Sequence, residues 1–218
     1  MVELVKTRWS QRAICAMALV GTILVLEQPA MAEEPTILLY GDSLLAGLGL
    51  SADESFMGQL QAAMDDLGPE AKLVNASVSG DTTADGLARL DWTLGVRPDA
   101  VILGLGANDM LQGFPPVEVR ANLEAMMARF DTLEVPVLVL GMMANRGLGS
   151  DYVSEFDAIY PELAKRHGAL LYPFFLNGVA LDRELNQSDL RHPNAAGVAV
   201  IVANIMPLVK ELVQRVEP

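Results

Sequence analysis

The sequence predicts a three-layer α/β/α sandwich built on a doubly wound, parallel, five-stranded sheet. Two observations predict it. Five short runs (36–40, 72–75, 100–105, 137–141 and 169–172) are rich in aliphatic residues and mostly continuously apolar, as strands buried on both faces of a parallel sheet are. Longer runs with helical character alternate with them, at about 55–67, 82–94, 116–133, 154–167 and 195–216.

The elements follow in order. Pro116 suits the first turn of its helix, and Gly68-Pro69, Arg97-Pro98 and Val135-Pro136 punctuate the returns from helix to strand. Lys165, Arg166 and His167, followed by Gly168, mark a helix end whose cations complement the dipole. Crossovers between parallel strands are right-handed. With the flavodoxin-like strand order 2-1-3-4-5, the switch point lies between the first and third strands. The loops leaving those strands begin Gly41-Asp42-Ser43 and Gly106-Ala107-Asn108-Asp109, so two polar loops face each other at the expected ligand crevice.

Residues 1–32 read as a secretory signal peptide. Lys6, Arg8 and Arg12 precede an apolar stretch from Ala13 to Leu26, and Ala30-x-Ala32 offers a small-x-small cleavage pattern. The alternative is an uncleaved anchor. No other stretch is expected to be long and apolar enough to cross a membrane. Cys15, the one cysteine, precedes most of the apolar stretch, which is the wrong place for a lipoprotein, and its loss with the leader leaves no disulfide. Residues 33–218 are expected to form a single domain, large enough for a full core.

Removing the leader takes the net charge from −13 to −14, because three cations leave with two anions. Such an acidic body repels nucleic acid and anionic membranes. No basic patch, Cys/His cluster, Walker pattern or dinucleotide fingerprint is present; Gly47-Leu48-Gly49 is too short a match. No metal is expected.

Ser43 stands at the carboxyl end of the first strand and is a candidate nucleophile, which needs a base. Both histidines lie in the mature chain. His167 is assigned to its helix end; His192, in the loop before the last helix, is the candidate base. Asp189 precedes it by three residues, a spacing that a turn can use to bring a carboxylate under Nδ1; Asp182 is a weaker substitute. Acyl transfer also needs donors for an oxyanion. The backbone N–H groups of Ser43 and Gly80 and the side chain of Asn108 are the candidates, each at a successive strand end. Asp42 and Asp109 are expected to brace their loops, and Asp81 to cap the following helix. Leu111, Phe114, Met142, Met143 and Leu148 follow the third and fourth strands and are candidates for an apolar acyl cleft, with core packing as the alternative.

Gly41-Asp42-Ser43-Leu44, Gly80, Gly106-Ala107-Asn108-Asp109 and Asp189 with His192-Pro193 resemble, in order, the motif blocks of the GDSL or SGNH hydrolase superfamily. The stretches from Val74 to Thr82, Gly86 to Leu90, Leu111 to Phe114 and Ala158 to Pro161 are similar to the bacterial periplasmic thioesterase I/lysophospholipase L1 and arylesterase group. That resemblance implies the SGNH hydrolase fold, a periplasmic or secreted location and no cofactor. It implies hydrolysis of acyl thioesters, lysophospholipids and aryl or short-chain esters. The expected partner is a small-molecule acyl ester or thioester, and after signal cleavage the chain is expected to be a monomer without stable membrane insertion. The segment from Gly141 to Gly149 keeps an Ala144-Asn145 core but departs from the group at its flanks, so chain-length preference does not transfer. A carbohydrate acetylesterase or acyltransferase on the same fold is the alternative enzyme, and a non-catalytic α/β binding module the alternative class.

Overall fold

The computed structural model describes residues 34–67 and 71–216; the leader read from the sequence lies outside them. Five parallel strands, β1 (Thr36–Gly41), β2 (Lys72–Asn75), β3 (Ala100–Gly104), β4 (Val137–Leu140) and β5 (Leu170–Tyr172), form one sheet in the order β2-β1-β3-β4-β5. This is the expected order. Ile37 pairs with Leu73 on one side and Ala100 on the other, so β1 is an inner strand, and at its carboxyl end Gly41 pairs with Gly104 of β3. β3 and β4 are buried throughout, as is β1 beyond Thr36. Full burial of each large aliphatic side chain contributes roughly 1.5–3 kcal/mol, so these strands stabilise the sheet through both faces.

Among the described residues eight α-helices surround it: α1 (Ser43–Ala46), α2 (Phe56–Leu67), α3 (Thr83–Thr93), α4 (Ala107–Gln112), α5 (Pro116–Thr132), α6 (Ser150–Asp157), α7 (Ile159–Arg166) and α8 (Ala195–Gln214). α2 packs with α8, while α5 packs with α3, α6 and α7. The continuous helix expected over 154–167 is two helices that meet at Ala158. Pro161 explains the break: it offers no N–H, and its ring excludes a helical carbonyl at Asp157 four residues earlier. α1 and α4 are too short to show a helical period, and the sequence reading treats both as loops.

The expectation of no apolar span beyond the leader needs correction. α8 has the length and composition to cross a membrane, with mean hydropathy 1.8, yet half of that stretch is buried inside the structure. It packs on β4, β5 and α2, as a core helix does.

Glycine sets the spacing at the site-bearing edge. A Cβ on Gly41 would stand 2.6 Å from the Gly104 carbonyl oxygen, so the ends of β1 and β3 can pair only without one.

Candidate active site

Ser43 opens α1 directly after β1, with Asp42 as the N-cap: the Asp42 carboxylate accepts from the Leu44 N–H at 3.0 Å. The Ser43 Oγ lies 2.9 Å from His192 Nε2. On the far side of the ring, His192 Nδ1 lies 2.6 Å from Asp189 Oδ2. Two segments distant in sequence, the turn after β1 and the loop before α8, therefore meet.

The loop before α8 is folded to make this contact. Gln187 N–H donates to the His192 carbonyl at 2.8 Å and Asn194 N–H to Leu185 at 3.0 Å, which closes the turn. Leu190 sits at φ 56°, a left-handed conformation costing roughly 1–2 kcal/mol for a residue with a Cβ. Asp189 Oδ1 accepts from the N–H groups of Arg191 (2.9 Å) and His192 (3.1 Å). The His192 side-chain bond, and then these two N–H groups, hold the Asp189 carboxyl down at about 2. An ionised Asp189 accepts the hydrogen bond of Nδ1–H, which keeps the proton on Nδ1 and leaves Nε2 as an acceptor facing the Ser43 hydroxyl.

Gly80 has φ 93°, which disfavours any other residue, and the space where a Cβ would sit is open. The residue is exposed. Asn108 Nδ2 donates to the Asp81 carbonyl at 2.9 Å and stands 3.4 Å from Asp42 Oδ2. The N–H of Ser43, in the first turn of α1, has no intrahelical acceptor.

Asp109 braces its loop across the sheet edge: its carboxylate accepts from Thr83 N–H at 2.9 Å and Thr83 Oγ1–H at 2.6 Å. The expected cap at Asp81 is displaced by one residue. Thr82 caps α3 in a reciprocal capping box with Asp85, and Asp81 instead pairs with Arg89 Nε at 2.6 Å. Asp182 Oδ1 accepts from Glu184 N–H, a local turn bond that turns it away from a part in the His192 pair. His167 is bound by Asp131 and Glu124.

Asp42 is fully buried, and burial, the largest cause, pushes its carboxyl up to about 7 against the opposing pull of the Leu44 N–H and the His192 charge. The folded value lies above the unfolded one. This group therefore adds stability as pH falls from about 7 toward the usual range near 4, and removes it as pH rises through 7, by up to about 1.4 kcal/mol per pH unit. Melting of wild type and Asp42→Asn at pH 5 and pH 8 checks it: the gap is expected to move in favour of the variant at pH 8. A gap that does not change with pH would show that this carboxyl does not titrate there.

An open cleft of about 880 Å³ extends from this centre. Of the residues expected to line it, Leu111, Met142 and Met143 do, whereas Phe114 and Leu148 do not. Phe114 instead offers its carbonyl to the Tyr152 hydroxyl at 3.0 Å, and Leu148 lies in a 3₁₀ turn (Arg146–Leu148). The sequence reading missed a third wall: Phe174, Leu176, Ala180, Leu181 and Leu190, from the irregular segment between β5 and α8. Irregular backbone has no period to betray which of its side chains point inward. Among the described residues no group of three or more His, Cys, Asp or Glu could hold a metal ion.

Fold and site together have the form of a Ser-His-Asp centre on a flavodoxin-like sheet. The chain belongs to the GDSL-like lipase/acylhydrolase family, whose model matches residues 39–200. It is 35% identical over 202 residues to the esterase TesA of Pseudomonas aeruginosa, covering 92% of this chain and 99% of that one. It is 37% identical over 160 residues to thioesterase 1/protease 1/lysophospholipase L1 of Escherichia coli K12, covering 73% and 76%. The crystal structure of AlinE4, a SGNH-hydrolase family esterase, superposes with a TM-score of 0.70 at 42% identity, covering 84% of this chain and 98% of that one.

Proposed function

We propose that this protein is a serine esterase and thioesterase that hydrolyses acyl esters and thioesters through an acyl-enzyme on Ser43. The substrate classes are aryl or short-chain esters, acyl-CoA and lysophospholipids. One observation carries the reading: the relay from Ser43 Oγ through both ring nitrogens of His192 to Asp189 stands at the mouth of a largely apolar cleft.

Neutral His192 takes the Ser43 proton at Nε2 as Oγ attacks the acyl carbonyl. The negative charge on the carbonyl oxygen is met by the N–H groups of Ser43 and Gly80 and by Asn108 Nδ2. His192 then passes its proton to the departing alcohol or thiol. Water, deprotonated by the same nitrogen, releases the acid and restores Ser43. Asp189 holds the ring and its charge throughout. Residues 1–32 would direct export and be removed, leaving the single domain 33–218 to work as a periplasmic or secreted monomer with no cofactor.

Leu111, Met142, Met143, Leu176 and Leu181 make the acyl wall, and methionines adapt to varied chains. Each methylene buried there is worth about 0.8 kcal/mol, or at most about fourfold in kcat/KM. A series of esters from acetyl to palmitoyl, run on the purified mature protein beside Ser43→Ala, tests this. Rising kcat/KM until the cleft is filled is expected; no gain with length rules out the acyl cleft. Covalent labelling of Ser43 by a fluorophosphonate is also expected, and failure of the folded protein to label would favour a non-catalytic binding module. Trp92 is 86% exposed on α3 and does not line the cleft, so it offers no sugar platform for a carbohydrate acetylesterase.

A further inference from the structure

We propose that Arg89, on α3, is a positioning residue that holds the oxyanion-binding loops in one arrangement; this rests on the hydrolase reading above. Its guanidinium uses each nitrogen on a different segment. Nε donates to the Asp81 carboxylate at 2.6 Å, Nη1 to the Ala76 carbonyl at 2.6 Å and Nη2 to the Gly41 carbonyl at 3.3 Å. Its carbon Cζ lies 4.2 Å from the centre of the Tyr40 ring, and the Tyr40 hydroxyl in turn donates to the Gly86 carbonyl at 2.5 Å. Arg89 and Asp81 are 20% and 12% exposed, so this pair is largely shielded from water.

These anchors flank the candidate donors. Gly41 precedes Ser43 by two residues on the same turn, and its carbonyl also accepts from Val78 N–H at 3.0 Å. Ala76 and Asp81 bracket the segment that carries Gly80. The Asp81 carbonyl receives Asn108 Nδ2 at 2.9 Å. One side chain thus bonds the two loops that supply backbone donors and reaches the side-chain donor through a single carbonyl. A planar fork of fixed geometry can do this; a lysine ammonium, one point at the end of a flexible stem, cannot bridge all three.

The test compares wild type, Arg89→Lys and Asp81→Asn on 4-nitrophenyl butyrate, with the affinity of benzeneboronic acid, which imitates the tetrahedral state, measured alongside. Arg129→Lys, at the exposed pair with Asp91, is the control for losing an arginine. Misplacement by about 1 Å can cost about 100-fold, so kcat is expected to fall about 10- to 100-fold in Arg89→Lys with KM within about twofold. Boronate affinity should fall by a similar factor, and the control should stay near wild type. Wild-type kcat in Arg89→Lys overturns the proposal, as does a loss that follows only the folded fraction with boronate affinity unchanged. Should Arg89→Lys fail to melt cooperatively, Asp81→Asn carries the same comparison, and wild-type kcat there overturns it. A wild type that hydrolyses no ester and takes no fluorophosphonate overturns the hydrolase reading and this proposal together; an active wild type with an equally active Arg89→Lys overturns this proposal alone.

Discussion

Ser43→Ala is expected to lower kcat by a factor on the order of 10⁴–10⁶ while the fold and its melting temperature stay close to wild type. The side chain is small and nearly buried, and its loss removes one hydroxyl without leaving a cavity of consequence. His192→Ala should cost about as much, and the double variant little more than either, because in the proposed mechanism nucleophile and base act as one unit. Asp189→Asn should cost less. Its side chain is 45% exposed, so water screens part of its interaction with the imidazolium that forms in the reaction. Single-turnover rates with an activated aryl ester check the order. Additive losses for Ser43 and His192 would separate the two residues and remove the shared step.

The strands were legible because a parallel sheet buries both faces of each strand, and runs such as 37–40 and 100–103 show that directly as unbroken hydrophobicity. β-α alternation pointed to a doubly wound sheet, and the common order 2-1-3-4-5 taken for it is the one the sheet has. Ser43 and Asn108 could be singled out as candidates because polar residues of those types stand just after strands, and His192 with Asp189 because a three-residue spacing in a turn can join carboxylate and ring, as it does. What was not legible depends on geometry at closer range. Asp81 and Thr82 are both good capping residues, and only the partner decides: Asp85 answers Thr82, while Arg89 takes Asp81. The part Arg89 plays is silent in sequence, because two of its three hydrogen bonds go to backbone carbonyls, which every residue type presents. The third wall of the cleft was silent because the segment between β5 and α8 folds through turns rather than a repeating element. The division of one expected helix into α6 and α7 was available in principle from Pro161.

Asn108→Ala is expected to reduce kcat by about 10²–10³ with KM nearly unchanged. One amide N–H is anchored on the Asp81 carbonyl at 2.9 Å; the second, at a long 3.4 Å from Asp42 Oδ2, is the one the proposed oxyanion would take, and the anchor fixes the amide before substrate arrives. A donor fixed in advance stabilises charge where it develops and spends no reorganisation energy in the reaction step. The ground-state carbonyl carries less charge, which is why KM should move little. Asn108→Asp separates this account from simple loss of packing. It keeps the shape, yet places an acceptor beside the Asp42 carboxyl and the developing oxyanion, and it should be worse than alanine in kcat. Boronic acid affinity should fall in the same order, wild type above alanine above aspartate. Equal kcat for the two variants would mean that Asn108 only shapes the loop, leaving the charge to the backbone N–H groups of Ser43 and Gly80.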